Sequence, residues 1–307
     1  MSTRTVARQR AGWALRKLLT APEVESVPEG RMVELPGRGR TFVVDVPGPE
    51  GAPALVLLHA LGCTAYLSWY PVLADLSQHY RVVLLDQRWH GRGIRSPHFR
   101  FEDCADDVAA LLDVLGIETC VPVGYSMGGA VAQLVWRRHP ERVEGLVLCS
   151  TARNFRGTRR EKVFFPVVSA AMLPLASVCR ARVERLAAGL PDVPSVAAAD
   201  RDWGMAELRS TSAWSAPAVL QALGRFNSAP WAGEIDVPTS VVVTARDHTV
   251  PGRRQRRLAA AIPGAEVVEV DGGHASLVLK AALFGPALLE AVASVVARRT
   301  GLSSRAG

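Results

Sequence analysis

The sequence predicts an α/β fold: a mostly parallel sheet flanked by helices, with a helical segment inserted after the sixth strand. Three observations predict it. Short, nearly unbroken apolar runs recur along the chain, as in strands buried on both faces. Helical patterns fall between them, and such alternation builds a parallel sheet covered on both sides. The alternation fails between about residues 153 and 234 and then resumes.

Taken in order, the chain opens with MSTRTVARQRAGWALRKLLTAPE, whose apolar stretch is broken by Arg16 and Lys17. It lacks the continuous apolar core of a signal peptide. Residues 5–20 have the pattern of a basic amphipathic helix carrying Trp13, Leu15, Leu18 and Leu19. Such a helix lies either on an anionic membrane surface or, the favoured alternative, against the protein's own body. A hairpin follows, Arg31–Glu34 and Arg40–Val46 around the turn at Pro36-Gly37.

After a Pro- and Gly-rich loop come the apolar runs Ala54–Ala60, Arg81–Asp86, Cys120–Ser126, Gly145–Ser150, Ser240–Asp247 and Glu266–Gly272. Helices are expected over Glu102–Leu115, Met127–His139 and Ala281–Arg299, the last bent or restarted at Gly285-Pro286. The tail GLSSRAG has the composition of a frayed end. Residues 153–234 have no β-rich run and carry Pro166, Pro174, Pro191 and Pro194, with Phe164, Phe165, Trp203, Trp214, Phe226 and Trp231. The expected organisation is therefore a core in two parts, residues 1–152 and 235–307, around a helical cap at 153–234.

Composition narrows the function. The 307 residues are 49% hydrophobic and 21% charged, which excludes a disordered, collagenous or coiled-coil chain. The net charge of +7 reads as solvated arginine, because no nucleic-acid-binding motif or zinc finger accompanies it. Nucleic acid is therefore not an expected partner. The five cysteines are odd in number and form no Cys-x-x-Cys pair, which argues against a disulfide framework or zinc site and for a reducing, cytoplasmic setting. No run of about 18 uninterrupted apolar residues occurs, so no membrane-spanning helix is expected.

The chemistry points to Ser126. Gly124-Tyr125-Ser126-Met127-Gly128-Gly129 sits between an apolar strand and a helical stretch. That context makes a G-x-S-x-G match a candidate nucleophile at a sharp strand-to-helix turn. The positive end of the helix starting near Met127 favours negative charge developing there. A serine hydroxyl needs a base, and the base needs an orienting group. Of the seven histidines, His274 lies in a loop just after the last apolar strand, at the sheet edge that also holds Ser126. Asp247 ends the preceding strand. The rival acid position, after Gly145–Ser150, reads STARN and offers no carboxylate.

Acyl transfer also needs backbone N–H donors for the developing oxyanion. Met127 is the expected first donor, and Leu61, in His59-Ala60-Leu61-Gly62-Cys63, the second.

Together these residues resemble the α/β-hydrolase superfamily over roughly residues 40–150 and 236–295, most closely its serine esterase, lipase, lactonase and haloperoxidase-like branch. LLDQRWHGRG (Leu84–Gly93), PVGYSMGG (Pro122–Gly129), TARDHTVP (Thr244–Pro251) and GGH (Gly272–His274) carry the resemblance. Two departures stand out: Ala60 where the family often has glycine, and Trp89 where a small residue is usual. The resemblance implies an α/β-hydrolase fold with the Ser126–His274–Asp247 triad, and neither a metal nor a cofactor. Dehalogenases and epoxide hydrolases of this fold resemble one another in using Asp at the elbow, so Ser126 argues against both.

The expected substrate is a small carboxylic ester or thioester with an apolar acyl group. Arg156, Arg159, Arg160, Arg180, Arg182 and Arg185 in the cap would attract an anionic head group unless they are simply solvated. Lactone hydrolysis, carbon–carbon bond hydrolysis, perhydrolysis and a purely ligand-binding role stay open as alternatives. So do the oligomeric state and membrane contact through residues 5–20.

Overall fold

The structure, a computed structural model, describes residues 27–155, 202–204, 206, 207, 210, 211 and 216–303. The expected N-terminal helix at 5–20, Cys179, Phe164, Phe165 and Trp214 lie outside them, as do the cap arginines and all but the first three residues of the tail, and so does most of 153–234.

An 8-stranded sheet forms the centre, in the order β1-β2-β4-β3-β5-β6-β7-β8. The strands are β1 (Arg31–Leu35), β2 (Gly39–Val46), β3 (Ala54–Leu58), β4 (Arg81–Leu85), β5 (Val121–Tyr125), β6 (Leu146–Cys149), β7 (Thr239–Thr244) and β8 (Glu266–Val270). The leading hairpin supplies the antiparallel edge: β1 pairs with β2, and β2 with β4. All other pairs are parallel. Five consecutive buried residues in β3 and in β5 explain why those strands read as unbroken apolar runs.

Period-two alternation sends side chains to two buried layers. Val56 and Leu58 of β3 join the first and Leu55 and Leu57 the second. The first layer is closed by α2 (Phe101–Val114), α3 (Met127–Arg138), α4 (Ala216–Arg225) and α5 (Gly252–Ala259). The second is closed by α1 (Ala65–Ser77), α6 (Ser276–Leu279) and α7 (Ala281–Ser303). The Thr64 hydroxyl caps α1 by accepting from the Leu67 N–H at 3.1 Å. Glu102 and Asp103 occupy the first turn of α2, where the helix dipole favours carboxylates.

The hairpin and the six apolar runs form strands within a few residues of their expected bounds, and Glu102–Leu115 and Met127–His139 form α2 and α3. Of the bend or restart expected at Gly285-Pro286, the restart does not occur: α7 is continuous through it. Pro286 stands early enough that its ring meets only the first turn, at the cost of one helical bond. A helix long and apolar enough to cross a membrane also exists, over Ala281–Arg299 within α7. Its stripe of Phe284, Leu288, Ala291, Val292 and Val295 is fully buried in the second layer. Helix α5, GRRQRRLA, turns Gln255, Leu258 and Ala259 inward and Arg253, Arg256 and Arg257 outward.

Among the described residues no strand lies between β6 and β7, and α4 occupies part of that interval. Cys63, Cys104, Cys120 and Cys149 are free thiols.

Candidate active site

Ser126 stands at the apex between β5 and α3 with φ 54° and ψ −111°. A non-glycine residue with positive φ is strained, and such strain persists only where its surroundings enforce it. Here the enforcement is visible. The Ser126 N–H donates to the Cys149 carbonyl at 2.8 Å, and its carbonyl accepts from the Gly129 N–H at 3.0 Å and the Thr151 hydroxyl at 2.7 Å. The flanking glycines are required by space. A Cβ on Gly124 would stand 2.3 Å from the Gly128 carbonyl oxygen, and one on Gly128 would stand 2.1 Å from that of Leu58.

His274 follows β8 and brings its ring to this apex. Its Nε2 lies 2.9 Å from Ser126 Oγ and its Nδ1 lies 2.7 Å from Asp247 Oδ2. Asp247 is buried at the end of β7. Its Oδ1 accepts from the Thr249 and Val250 N–H groups, both at 2.8 Å, and its Oδ2 also accepts from Thr244 Oγ1 at 2.9 Å. Burial alone would raise the Asp247 carboxyl, but its bond to His274, the imidazole's charge and the Val250 and Thr244 donors together hold it below the usual range. An ionised Asp247 accepts a hydrogen bond from His274 Nδ1–H, which leaves Nε2 as the acceptor facing the Ser126 hydroxyl.

Gln255 on α5 belongs to this arrangement and was missed in the sequence. It is fully buried. Its amide nitrogen reaches Asp247 Oδ2 at 3.2 Å, Thr244 Oγ1 at 2.9 Å and the Val250 carbonyl at 2.7 Å, while its oxygen accepts from the Thr244 N–H at 3.0 Å. A lone glutamine among four arginines carries no sequence signal of such a role. At the rival acid position Ser150 also takes positive φ, and its Oγ meets Thr244 Oγ1 at 3.1 Å.

Met127 is the first residue of α3 and fully buried, and Leu61 lies partly buried in the β3–α1 loop. Neither N–H has an acceptor among the described residues, as expected of Met127 in a first helical turn. The loop is held by His59, which donates from Nδ1 to the Ala60 carbonyl at 2.8 Å and accepts at Nε2 from the Gln87 N–H at 2.9 Å. Burial drives the His59 imidazole down to about 4, against the opposing Ala60 bond. Burial, followed by the nearby His59, drives His90 to about 3. Their rings are 5.0 Å apart, and both are neutral structural groups at neutral pH. His248 is exposed beside Asp247.

The DQRWHG stretch is also structural in its contacts. Asp86 accepts from the Ala65 N–H at the start of α1 and from the Arg92 N–H, both at 2.8 Å. Arg88 forks onto Asp107 of α2 at 2.5 and 2.9 Å. Trp89 packs on Phe99 and donates its indole N–H to the Ser96 carbonyl at 3.0 Å, so it fills the first layer. Arg92 bridges Asp86 to Glu207, which also accepts from the Thr64 hydroxyl.

A cavity of about 390 Å³ opens between Phe99, Phe101, Leu134, Phe226 and Trp231, and none of Ser126, Asp247 and His274 lines it. Among the described residues no cluster of three metal-ligating side chains occurs.

A family model for the alpha/beta hydrolase fold matches residues 53–173. The "Putative carbamate hydrolase RutD" of Serratia proteamaculans is 30% identical over 246 residues, 78% of this chain and 90% of that protein. The 3-oxoadipate enol-lactonase 1 of Acinetobacter baylyi is 40% identical over 95 residues, so the match spans 31% of this chain and 35% of that protein. Among solved structures, the enol-lactonase from Burkholderia xenovorans LB400 superposes with a TM-score of 0.68 at 26% identity, covering 86% of this chain and 100% of that one.

Proposed function

The chain belongs to the alpha/beta hydrolase fold family, and on that premise we propose that it is a serine hydrolase that cleaves a carboxylic ester or thioester through Ser126, His274 and Asp247. One observation carries the proposal: the continuous relay from Ser126 Oγ to His274 Nε2 at 2.9 Å and from His274 Nδ1 to Asp247 Oδ2 at 2.7 Å.

Ser126 Oγ attacks the acyl carbonyl as its proton passes to His274 Nε2, and Asp247 steadies the resulting imidazolium. The carbonyl electron pair moves to oxygen, and the Leu61 and Met127 N–H groups stabilise that oxyanion. Each such donor is worth roughly 3–4 kcal/mol in the transition state. The intermediate collapses, His274 protonates the departing alcohol or thiol, and an acyl-serine remains. Water then adds through the same base, releasing the acid and restoring the serine.

The inserted region 153–234 forms the cap in this proposal. Supporting it, Trp203 packs on Tyr70 and Tyr66, while Glu207 and Thr211 bond to Thr64, Arg92 and Gly91. These partners belong to the loops after β3 and β4 and to the first turns of α1. β3, β4 and β5 run parallel, so those loops lie at the same sheet edge as Ser126. The relatives carry the names enol-lactonase and carbamate hydrolase, which makes a lactone and a carbamate the other candidate substrates.

Fluorophosphonate labelling tests the mechanism. Wild type is expected to label at one serine and Ser126→Ala not at all, with hydrolysis falling by roughly 10^4- to 10^6-fold. Equal labelling of the variant, or none of the wild type, overturns it. A panel of p-nitrophenyl esters, acyl-thioesters, lactones and carbamates then ranks the substrate classes.

A further inference from the structure

We infer that Tyr125, the residue immediately before the candidate nucleophile, is a positioning residue that holds His274 in reach of Ser126 by donating its phenolic O–H to the His274 carbonyl. The inference rests on the proposed triad and concerns a group that does not touch the reacting atoms.

The loop that carries His274 is bonded on either side of the histidine, at Gly272 and Gly273 before it and at Ala275 after it. Gly272 and Gly273 precede the histidine, and glycine restricts the backbone least of all residues. The bonds that anchor this turn run through its neighbours: Gly272 to Val270 and Arg246, Ser276 to Gly273, and Val278 and Leu279 to Ala275. Among the described residues, the backbone of His274 itself is engaged through its carbonyl alone, by the Tyr125 hydroxyl at 2.5 Å. The imidazole is then tethered at Asp247, in the loop after β7.

Tyr125 is well placed to act as a fixed donor. It is the last residue of β5, and the strand's alternation turns it into the second layer with Val121 and Val123. Its ring meets Trp69 edge-on at 6.3 Å, Phe284 at 5.5 Å and the His274 ring at 5.9 Å. Walled on these sides and 3% exposed, it has little rotamer freedom. Burial, the largest influence on its titration, also pushes the phenol above its ordinary range, so the donor stays protonated at neutral pH.

One strand end thus fixes both partners of the first proton transfer: Ser126 through the backbone turn, His274 through the adjoining phenol. Displacements of about 1 Å in such a pair are enough to cost two orders of magnitude in rate. Sequence pattern alone gives Tyr125 no such role, since the middle position of G-x-S-x-G accepts varied side chains.

The test is the rate constant of fluorophosphonate labelling, with its final stoichiometry, for wild type, Tyr125→Phe and Ser126→Ala. Phe keeps the ring and removes the hydroxyl, and with it that group's bonds to the His274 carbonyl, the Ser150 side chain and the Leu277 backbone. The expected result is full labelling of Tyr125→Phe at a rate at least 5-fold below wild type, with kcat for ester hydrolysis falling in parallel and KM unchanged. The downfield proton resonance of the His274 Nδ1–H is expected to broaden in the same variant. A merely structural role would lower the stoichiometry and leave the rate of the labelled fraction untouched. An unchanged rate constant and an unchanged resonance overturn the inference. If Tyr125→Phe does not fold, Tyr125→Met, which fills the space without a hydroxyl, is read by the same criteria. Failure of wild type to label sinks the triad proposal instead, which keeps the two failures distinct.

Discussion

His59 and His90 show how single residues near the site are committed to structure by their surroundings. Burial keeps both neutral in the fold, with imidazoles at about 4 and about 3. In the unfolded chain a histidine titrates near 6.5, so between about pH 6.5 and 4 the unfolded state binds protons that the folded state refuses. Stability is therefore expected to fall as the pH drops through that window, by up to about 1.4 kcal/mol per pH unit for each imidazole. Urea midpoints measured from pH 7 to 4.5 check this, and His90→Gln is expected to flatten the slope. Parallel curves for the two proteins would assign the proton uptake to other groups. Asp247 acts in a lower window: its folded carboxyl is held below its ordinary value, so its contribution is present above the unfolded pKa of about 3.9 and lost as the pH falls through the folded one.

At the scale of elements, the site is a meeting of strand ends pinned by the helices that follow them. Helix α5 does this for the acid: Gln255 ties Asp247, Thr244 and Val250 together from one buried amide. Replacing it with Leu keeps the volume and leaves the Thr244 N–H and the Val250 carbonyl without that partner. The expected cost is about 1–3 kcal/mol in urea unfolding. In steady-state assays kcat should fall several-fold while KM holds, because Asp247 loses a constraint without touching the substrate. A kcat equal to wild type in a folded Gln255→Leu protein would sink this role. The elbow has a harder constraint, since the Cβ positions at Gly124 and Gly128 are occupied by backbone oxygens. Overpacking there forces the backbone itself to move, at about 1–3 kcal/mol or more. Gly128→Ala is expected to lower the unfolding midpoint and the labelling rate together.

Over the whole molecule, the described part of the insertion is joined to the core by a charged seam. Arg92 pairs with Glu207 at 3.1 Å and with Asp86 at 3.4 Å, and its guanidinium lies 3.5 Å from the centroid of the Phe42 ring. Glu207 is 8% exposed and shares a hydrogen bond with Thr64, the cap of α1 and the end of the loop carrying Leu61. Glu207 is enclosed while the Arg92 side chain is 37% exposed, so removing Arg92 leaves a poorly solvated carboxylate whereas removing Glu207 leaves a charge that water can reach. A double-mutant cycle on Arg92→Ala and Glu207→Ala is expected to give a coupling of about 0.5–3 kcal/mol. Limited proteolysis should cut Glu207→Ala faster than wild type between β6 and β7. Equal cleavage rates would show that the seam does not hold the insertion in place.

Much of this was legible in the chain because the signals were local. Continuous apolar runs mark buried strands wherever they pair, and a glycine-flanked serine between strand and helix marks a turn that few other residues can make. Asp247 and His274 were legible because strand order alone puts their loops on one sheet edge. Helix α5, the continuity of α7 through Pro286, and the work of Gln255, Glu207 and Tyr125 were not. Glu207 depends on an arginine 115 positions away and Tyr125 on a carbonyl 149 positions away, while Gln255 serves a carboxylate only 8 positions off, through a loop closure that leaves no periodic pattern. The sequence by itself determined which elements form and where the reactive side chains stand along them, because those follow from backbone sterics and the periodicity of burial. Only the tertiary structure decided what holds those side chains at 2.7 and 2.9 Å, because hydrogen bonds between distant residues follow from packing and leave no periodic trace.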